Sequence, residues 1–178
     1  MKNPAANVLV IGYGNPARGD DGLGPEFAQK VATLGIAGVT VDSDYQLTPE
    51  DAHAVASSDI VIFADADISG SEPFTFRKLE PESSSGIGSH GVEPGEVIAL
   101  SEILFHARPQ AYVLGIRGYD FTMFKEGLTS SAINNLDKAI SFFKHVASTG
   151  TYGQVALPPR AQKCQSKTSA ILENAVLN

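Results

Sequence analysis

The chain has one cysteine, Cys164, and no tryptophan among its 178 residues. A single thiol excludes an internal disulfide and any CxxC metal or redox site, which fits a reducing compartment. Positive charge is also scarce. Thirteen lysines and arginines stand against 20 aspartates and glutamates, a net charge of −7. That balance leaves no basic stripe to neutralise a phosphate backbone, so nucleic acid is not an expected partner. Long apolar runs are missing too. The apolar part of MKNPAANVLVIGYG is too short for a secretory signal, and no segment approaches the roughly 20 apolar residues of a membrane span. The expectation is a cytoplasmic protein with no membrane partner. No HExxH helix occurs, which excludes an ordinary zincin, and no GxSxG elbow is present.

Apolar residues make up 43% of the chain, enough for a sizeable core in a single domain. Strand-like and helix-like segments alternate, the pattern of a three-layer α/β domain with helices on both faces of a mostly parallel sheet. Near-continuous apolar runs, NVLVIG from Asn7 to Gly12 and DIVIFADA from Asp59 to Ala66, predict central strands. GVTVDS (Gly38 to Ser43) and AYVLGI (Ala111 to Ile116) supply two more. PFTFRKL (Pro73 to Leu79) alternates apolar with polar residues and predicts a half-exposed, antiparallel edge strand.

Caps and period signal the helices. Thr48, followed by Pro49, Glu50 and Asp51, predicts an N-cap and an acidic first turn of a helix reaching about Ala56. After Thr129, residues Ile133, Leu136, Ile140 and Phe143 recur at helical spacing, with Ala132, Ala139 and Val146 widening the stripe. Two further helices are expected from Leu23 to Leu34 and from Pro94 to Phe105, the latter with Val97, Leu100, Ser101 and Leu104 on one side. The domain is therefore placed in residues 1–149. Residues 150–178 read as a tail that carries Pro158-Pro159 and a short helix through Ile171, Leu172, Ala175 and Val176. From Glu80 to Glu96 runs a long Ser/Gly/Pro loop containing His90, and long loops inside compact domains are disproportionately functional.

Three segments carry candidate chemistry. In VLVIGYGNPARGDDGLGP, the residues Gly12, Gly14 and Ala17 satisfy the dinucleotide pattern, with Asp42 or Asp44 available to a ribose hydroxyl. Against that reading, the helix begins only at Leu23, and Asp20 and Asp21 stand where a pyrophosphate needs a positive end. The bland reading makes Asp20 a helix N-cap and Asp21 a first-turn acid. In FADADI, Asp65 and Asp67 follow an apolar strand, either as loop caps or facing the crevice where the Asp20-Asp21 loop also lies. Clustered carboxylates repel unless a cation or a shared proton compensates them. His90 lies in GIGSHGVEPG between Gly88 and Gly91, either as an exposed loop side chain or as the nitrogen of a mixed N/O site of the kind borderline divalent ions accept. His53, His106 and His145 lie within or at the ends of expected helices and read as structural.

Taken together, GYGNPARGDDGLGP, then ADA at the end of an apolar strand, then SH with a proline four residues after the histidine, resemble the hydrogenase maturation proteases. The resemblance covers most of Asn7 to Val146. It implies a twisted five-stranded sheet between helices and an endopeptidase that removes a C-terminal extension from a nickel-loaded hydrogenase large-subunit precursor. By position it implies Asp21, Asp65 and His90 as the metal-contacting trio and the catalytic set. The nickel comes with the substrate, and no permanent cofactor is expected. Two features depart from the family pattern, DSDYQLTPED (Asp42 to Asp51) in place of a glycine-rich turn and the length of the tail. The first makes Tyr45 and Gln46 candidates for substrate choice. A noncatalytic nickel-binding accessory protein and a dinucleotide-binding protein are the alternatives.

Overall fold

The computed structural model describes residues 6–79 and 92–156. Five strands, β1 (Val8–Tyr13), β2 (Val39–Asp44), β3 (Ile60–Asp67), β4 (Phe74–Leu79) and β5 (Gln110–Arg117), form one sheet in the order β2-β1-β3-β5-β4. Every neighbouring pair is parallel except β4 with β5, which is antiparallel as the alternation in PFTFRKL predicts. Gly12 of β1 pairs with Ser43 of β2 on one side and with Ala64 of β3 on the other. The chain thus leaves β1 first to one side and then to the other, which opens a crevice at its carboxyl end, where open α/β sheets hold ligands.

Side-chain alternation sorts the core into two layers. Val8, Val10, Ile62 and Ala64 face α1 (Leu23–Thr33) and α4 (Ser130–Thr149), where Phe27, Val31, Leu136 and Phe143 fill the space. Leu9, Ile11, Val61 and Phe63 face α2 (Asp51–Ala56) and α3 (Pro94–Phe105), meeting Ala52, Val55, Val97 and Ile98. Each fully buried side chain of this kind contributes about 1.5–3 kcal/mol. Burial on both faces is why β1 and β3 read as unbroken apolar runs.

The expected helices form, with corrections at particular residues. Thr129 caps α4 through its hydroxyl, which accepts from the Ala132 N–H at 3.2 Å, yet Ile133 stays 44% exposed. In α3 the buried set is Pro94, Gly95, Val97, Ile98 and Ser101, whereas Leu104 is 59% exposed. Helix α2 starts at Asp51, not at Pro49. Its approach is a run of tighter three-residue turns, Asp51 N–H to Thr48 O and Ala52 N–H to Pro49 O, both at 3.2 Å. Thr48 is held from the other side, its N–H donating to the Asp51 carboxylate at 2.7 Å.

The docked chain continues beyond Thr149. A last short helix, α5 (Tyr152–Val155), buries Tyr152 against the ring of Tyr112, centroids 6.3 Å apart. The helix expected near Ile171, Leu172, Ala175 and Val176 lies outside the described residues, as do Pro158, Pro159 and Cys164. Among the described residues no helix is long and apolar enough to cross a membrane.

Candidate active site

The site grows from the turn after β1. Gly12 lies against α1 so closely that a Cβ there would stand 2.1 Å from the Gly24 carbonyl oxygen, and one on Gly24 would stand 2.2 Å from the Tyr13 oxygen. This reciprocal contact seats α1 directly on the strand. Gly14, at φ +139°, folds the loop back until its missing Cβ would meet the Asp21 carbonyl oxygen at 2.1 Å. Residues Gly19–Gly22 then form one tight helical turn before α1 begins, and that turn carries both aspartates.

The two aspartates diverge in role. Asp20 has no exposed surface. Its carboxylate accepts from Tyr119 N–H (2.8 Å), Asp120 N–H (3.1 Å), Thr129 N–H (2.7 Å) and the Thr129 hydroxyl (2.9 Å). Burial pushes this carboxyl up, but the hydrogen bonds from Thr129, Tyr119 and Asp120 outweigh it and hold it below the ordinary carboxylate value. Asp20 is therefore not the N-cap of α1. Gly22 occupies that position, and no side chain caps the helix. Asp21 is only half-buried, and one of its oxygens accepts the Asn15 N–H at 3.1 Å.

That last bond decides against the dinucleotide reading. The loop N–H that a pyrophosphate would use is taken by a carboxylate of the same chain, and Ala17 N–H is taken by Asn15 Oδ1 at 2.9 Å. Asp42 and Asp44 accept from the next residue along, Ser43 N–H and Tyr45 N–H.

Asp65 stands at the carboxyl end of β3. Alternation along the strand puts it on the face of Val61 and Phe63, and the chain of apolar contacts on that face also includes Tyr13. Burial is the largest influence on its carboxyl and pushes it up to about 7. The nearby charges of Asp21 and Glu93 push the same way, whereas the Ala66 N–H at 2.7 Å and the Tyr13 hydroxyl oppose them. The Tyr13 hydroxyl is itself pushed far above its ordinary value by burial, then by Asp65 and Glu93. Tyr13 therefore keeps its proton and can only donate it in a hydrogen bond to Asp65.

Glu93 is the residue before α3. Its side chain accepts the Glu96 N–H while Glu96 reaches back to the Glu93 N–H at 2.9 Å, a complete capping box. Asp67, the other aspartate after β3, turns its Oδ1 to Ser69 N–H (2.9 Å) and Gly70 N–H (2.7 Å), the loop-capping role that sequence reasoning allowed it.

The charge of Asp21 acts on the Asp65 carboxyl, which puts the two in one electrostatic neighbourhood. The structure adds Tyr13 and Glu93, which sequence reasoning missed. Tyr13 sits inside GYG, where only the glycines drew notice. Glu93 in EPGE stands three residues before Glu96, the spacing of a capping box, and that spacing signals a helix start and not a site. His90 lies outside the described residues, three positions before Glu93 in the chain. Among the described residues no three His, Cys, Asp or Glu side chains are arranged to hold a metal ion. Two carboxylates at the crevice would need a further ligand from elsewhere.

No family model matches the chain. A Methanocaldococcus jannaschii protein that carries the provisional name hydrogenase maturation protease is 28% identical over 148 residues, which span 75% of this chain and 92% of that one. The crystal structure of the NiFe hydrogenase maturation protease HycI from Thermococcus kodakarensis superposes with a TM-score of 0.65 at 18% identity, covering 80% of this chain and 93% of that one. The chain has the hydrogenase maturation protease fold. The hydrogenase maturating endopeptidase HybD from E. coli gives a TM-score of 0.61 at 18% identity, over 81% of this chain and 94% of its own. Both of these solved structures are of peptidases, and the resemblance carried by GYGNPARGDDGLGP holds at the level of fold.

Proposed function

We propose that this protein is an endopeptidase that removes the C-terminal extension of a nickel–iron hydrogenase large-subunit precursor once nickel has been inserted. The observation that supports it best is that the charge of Asp21, on the turn that follows β1, acts on Asp65 at the carboxyl end of β3, in a fold shared with hydrogenase maturation proteases. The charge of Asp21 raises the proton affinity of Asp65, and a divalent cation relieves such repulsion.

In this reading the cation is the precursor's own nickel. Asp21, Asp65 and His90 contact it, so that only loaded precursor is held with its scissile peptide in place. Imidazole with carboxylates is a donor set that nickel accepts. Tyr13 holds one side of the Asp65 carboxylate and fixes its direction. Glu93 adds a third negative charge acting on Asp65 and strengthens the attraction for a cation.

The test is incubation of the purified protein with nickel-loaded large-subunit precursor, read by intact mass. Loss of a C-terminal peptide from loaded precursor, with apo-precursor left whole, is the expected result. An intact loaded precursor that nonetheless binds would favour a noncatalytic accessory role.

A further inference from the structure

The chain between β5 and α4, residues 118–129, is stitched to the turn that carries Asp21. Besides the bonds to the Asp20 carboxylate, Gly19 N–H donates to the Lys125 carbonyl (2.6 Å), Asp20 N–H to the Asp120 carbonyl (2.7 Å) and Arg18 Nε to the Phe121 carbonyl (3.1 Å). Lys125 pairs with Asp120 inside the same segment. A stretch bonded at so many points presents a fixed surface.

Among the exposed polar residues Thr122, Lys125 and Glu126 it presents two large apolar side chains. Phe124 is 91% exposed and Met123 53%. Phe124 also has a left-handed backbone, φ 59°, a conformation that is strained for a bulky residue. Phe121, three residues earlier, shows the ordinary outcome, its ring lying beneath Gly118 where a Cβ would meet it at 2.8 Å. A singly exposed apolar side chain is common. An aromatic held out in a strained conformation, beside an exposed methionine, on a segment pinned to the site is not accounted for by folding.

We propose, building on the protease reading, that Met123 and Phe124 form a docking knob that enters an apolar pocket on the folded body of the large-subunit precursor. The bonds from residues 18–20 make the knob continuous with the turn bearing Asp21, so a protein engaged there is held at the crevice. A second copy of this chain is a poorer occupant, because each copy carries a net charge of −7 and like charges oppose association.

The experiment uses the full-length protein, its Phe124→Ala, Phe124→Gly and Met123→Ser variants, and nickel-loaded large-subunit precursor from the same organism. KM for the precursor should rise about tenfold or more while kcat changes less than about twofold, and the affinity for precursor in a direct binding measurement should fall by a similar factor. Phe124→Gly relaxes the backbone and should unfold at the same temperature or higher, yet lose affinity as the alanine variant does. An unchanged KM and affinity in Phe124→Ala would overturn the proposal, as would a fall in kcat at constant KM. A wild-type dimer that Phe124→Ala dissolves would assign the knob to self-association instead. Should wild type bind precursor without cutting it, the protease reading fails, and weaker binding by Phe124→Ala would still support the knob.

Discussion

Asp20 accepts both the backbone N–H and the hydroxyl of Thr129, 109 residues further along the chain. One buried carboxylate therefore joins the turn that carries Asp21 to the N-cap of α4 and to the chain just after β5.

Asp20→Asn should destabilise the protein by about 2–3 kcal/mol in urea denaturation, because an amide nitrogen would face a backbone N–H and leave buried donors without an acceptor. This exceeds the loss of about 1 kcal/mol that a simple helix cap would give. The pH dependence follows from its depressed folded value. The stabilisation is present above the unfolded carboxylate value near 3.9 and disappears as pH falls through the lower folded value. The wild type should thus lose stability in acid more steeply than Asp20→Asn, as measured by thermal midpoints below about pH 4.

Asp65 predicts the opposite sign. Its folded value near 7 lies above the unfolded one, so the folded state binds the extra proton and stability declines as pH rises from about 4 to 7. Without metal, Asp65→Asn should melt higher than wild type at pH 8, by about 1–3 kcal/mol of stability, with the difference shrinking towards pH 4. A pH-independent difference would show that the carboxyl titrates as an ordinary surface group.

Asp21→Asn, Asp65→Asn and His90→Gln should each fold and fail to process nickel-loaded precursor, since each removes a charge or a ligand nitrogen at nearly constant volume. A loss of about 100-fold or more in kcat/KM is expected for each. Unimpaired processing by any of the three would remove that residue from the metal-contacting set.

Tyr45 is 68% exposed and Gln46 is exposed beside it, just past the carboxyl end of β2. Replacing DYQL by a glycine-rich turn should weaken processing of the cognate precursor, and restoring Tyr45 alone should recover part of it. Leu47, the last residue of that stretch, is buried and has to be retained in the replacement for the fold to survive.

The sheet was legible because β1 and β3 are buried on both faces and so carry nothing but apolar residues and glycine before the site begins. Helix α4 was legible because Thr129 caps it and Ala132, Leu136, Ala139 and Phe143 keep one period over its whole length. Asp20 and Asp21 could not be told apart in sequence, because what separates them is a set of donors from residues 119–129. Adjacent identical residues acquire different duties only when the chain folds back. Tyr13 and Glu93 escaped for a related reason. Their meeting with Asp65 depends on β1, β3 and the start of α3 converging, and no local pattern records such a convergence.

The order of the sheet has a consequence for how the protein is made. Among the described residues β4 bonds only to β5, which is synthesised after it and comes to lie between β4 and β3. Until Gln110–Arg117 has left the ribosome, the strand bearing Phe74 and Phe76 has no sheet to join. An unpaired apolar strand on a nascent chain invites intermolecular pairing. Slowed elongation between residues 79 and 110 should therefore lower the soluble yield, and chaperone demand should peak in that interval.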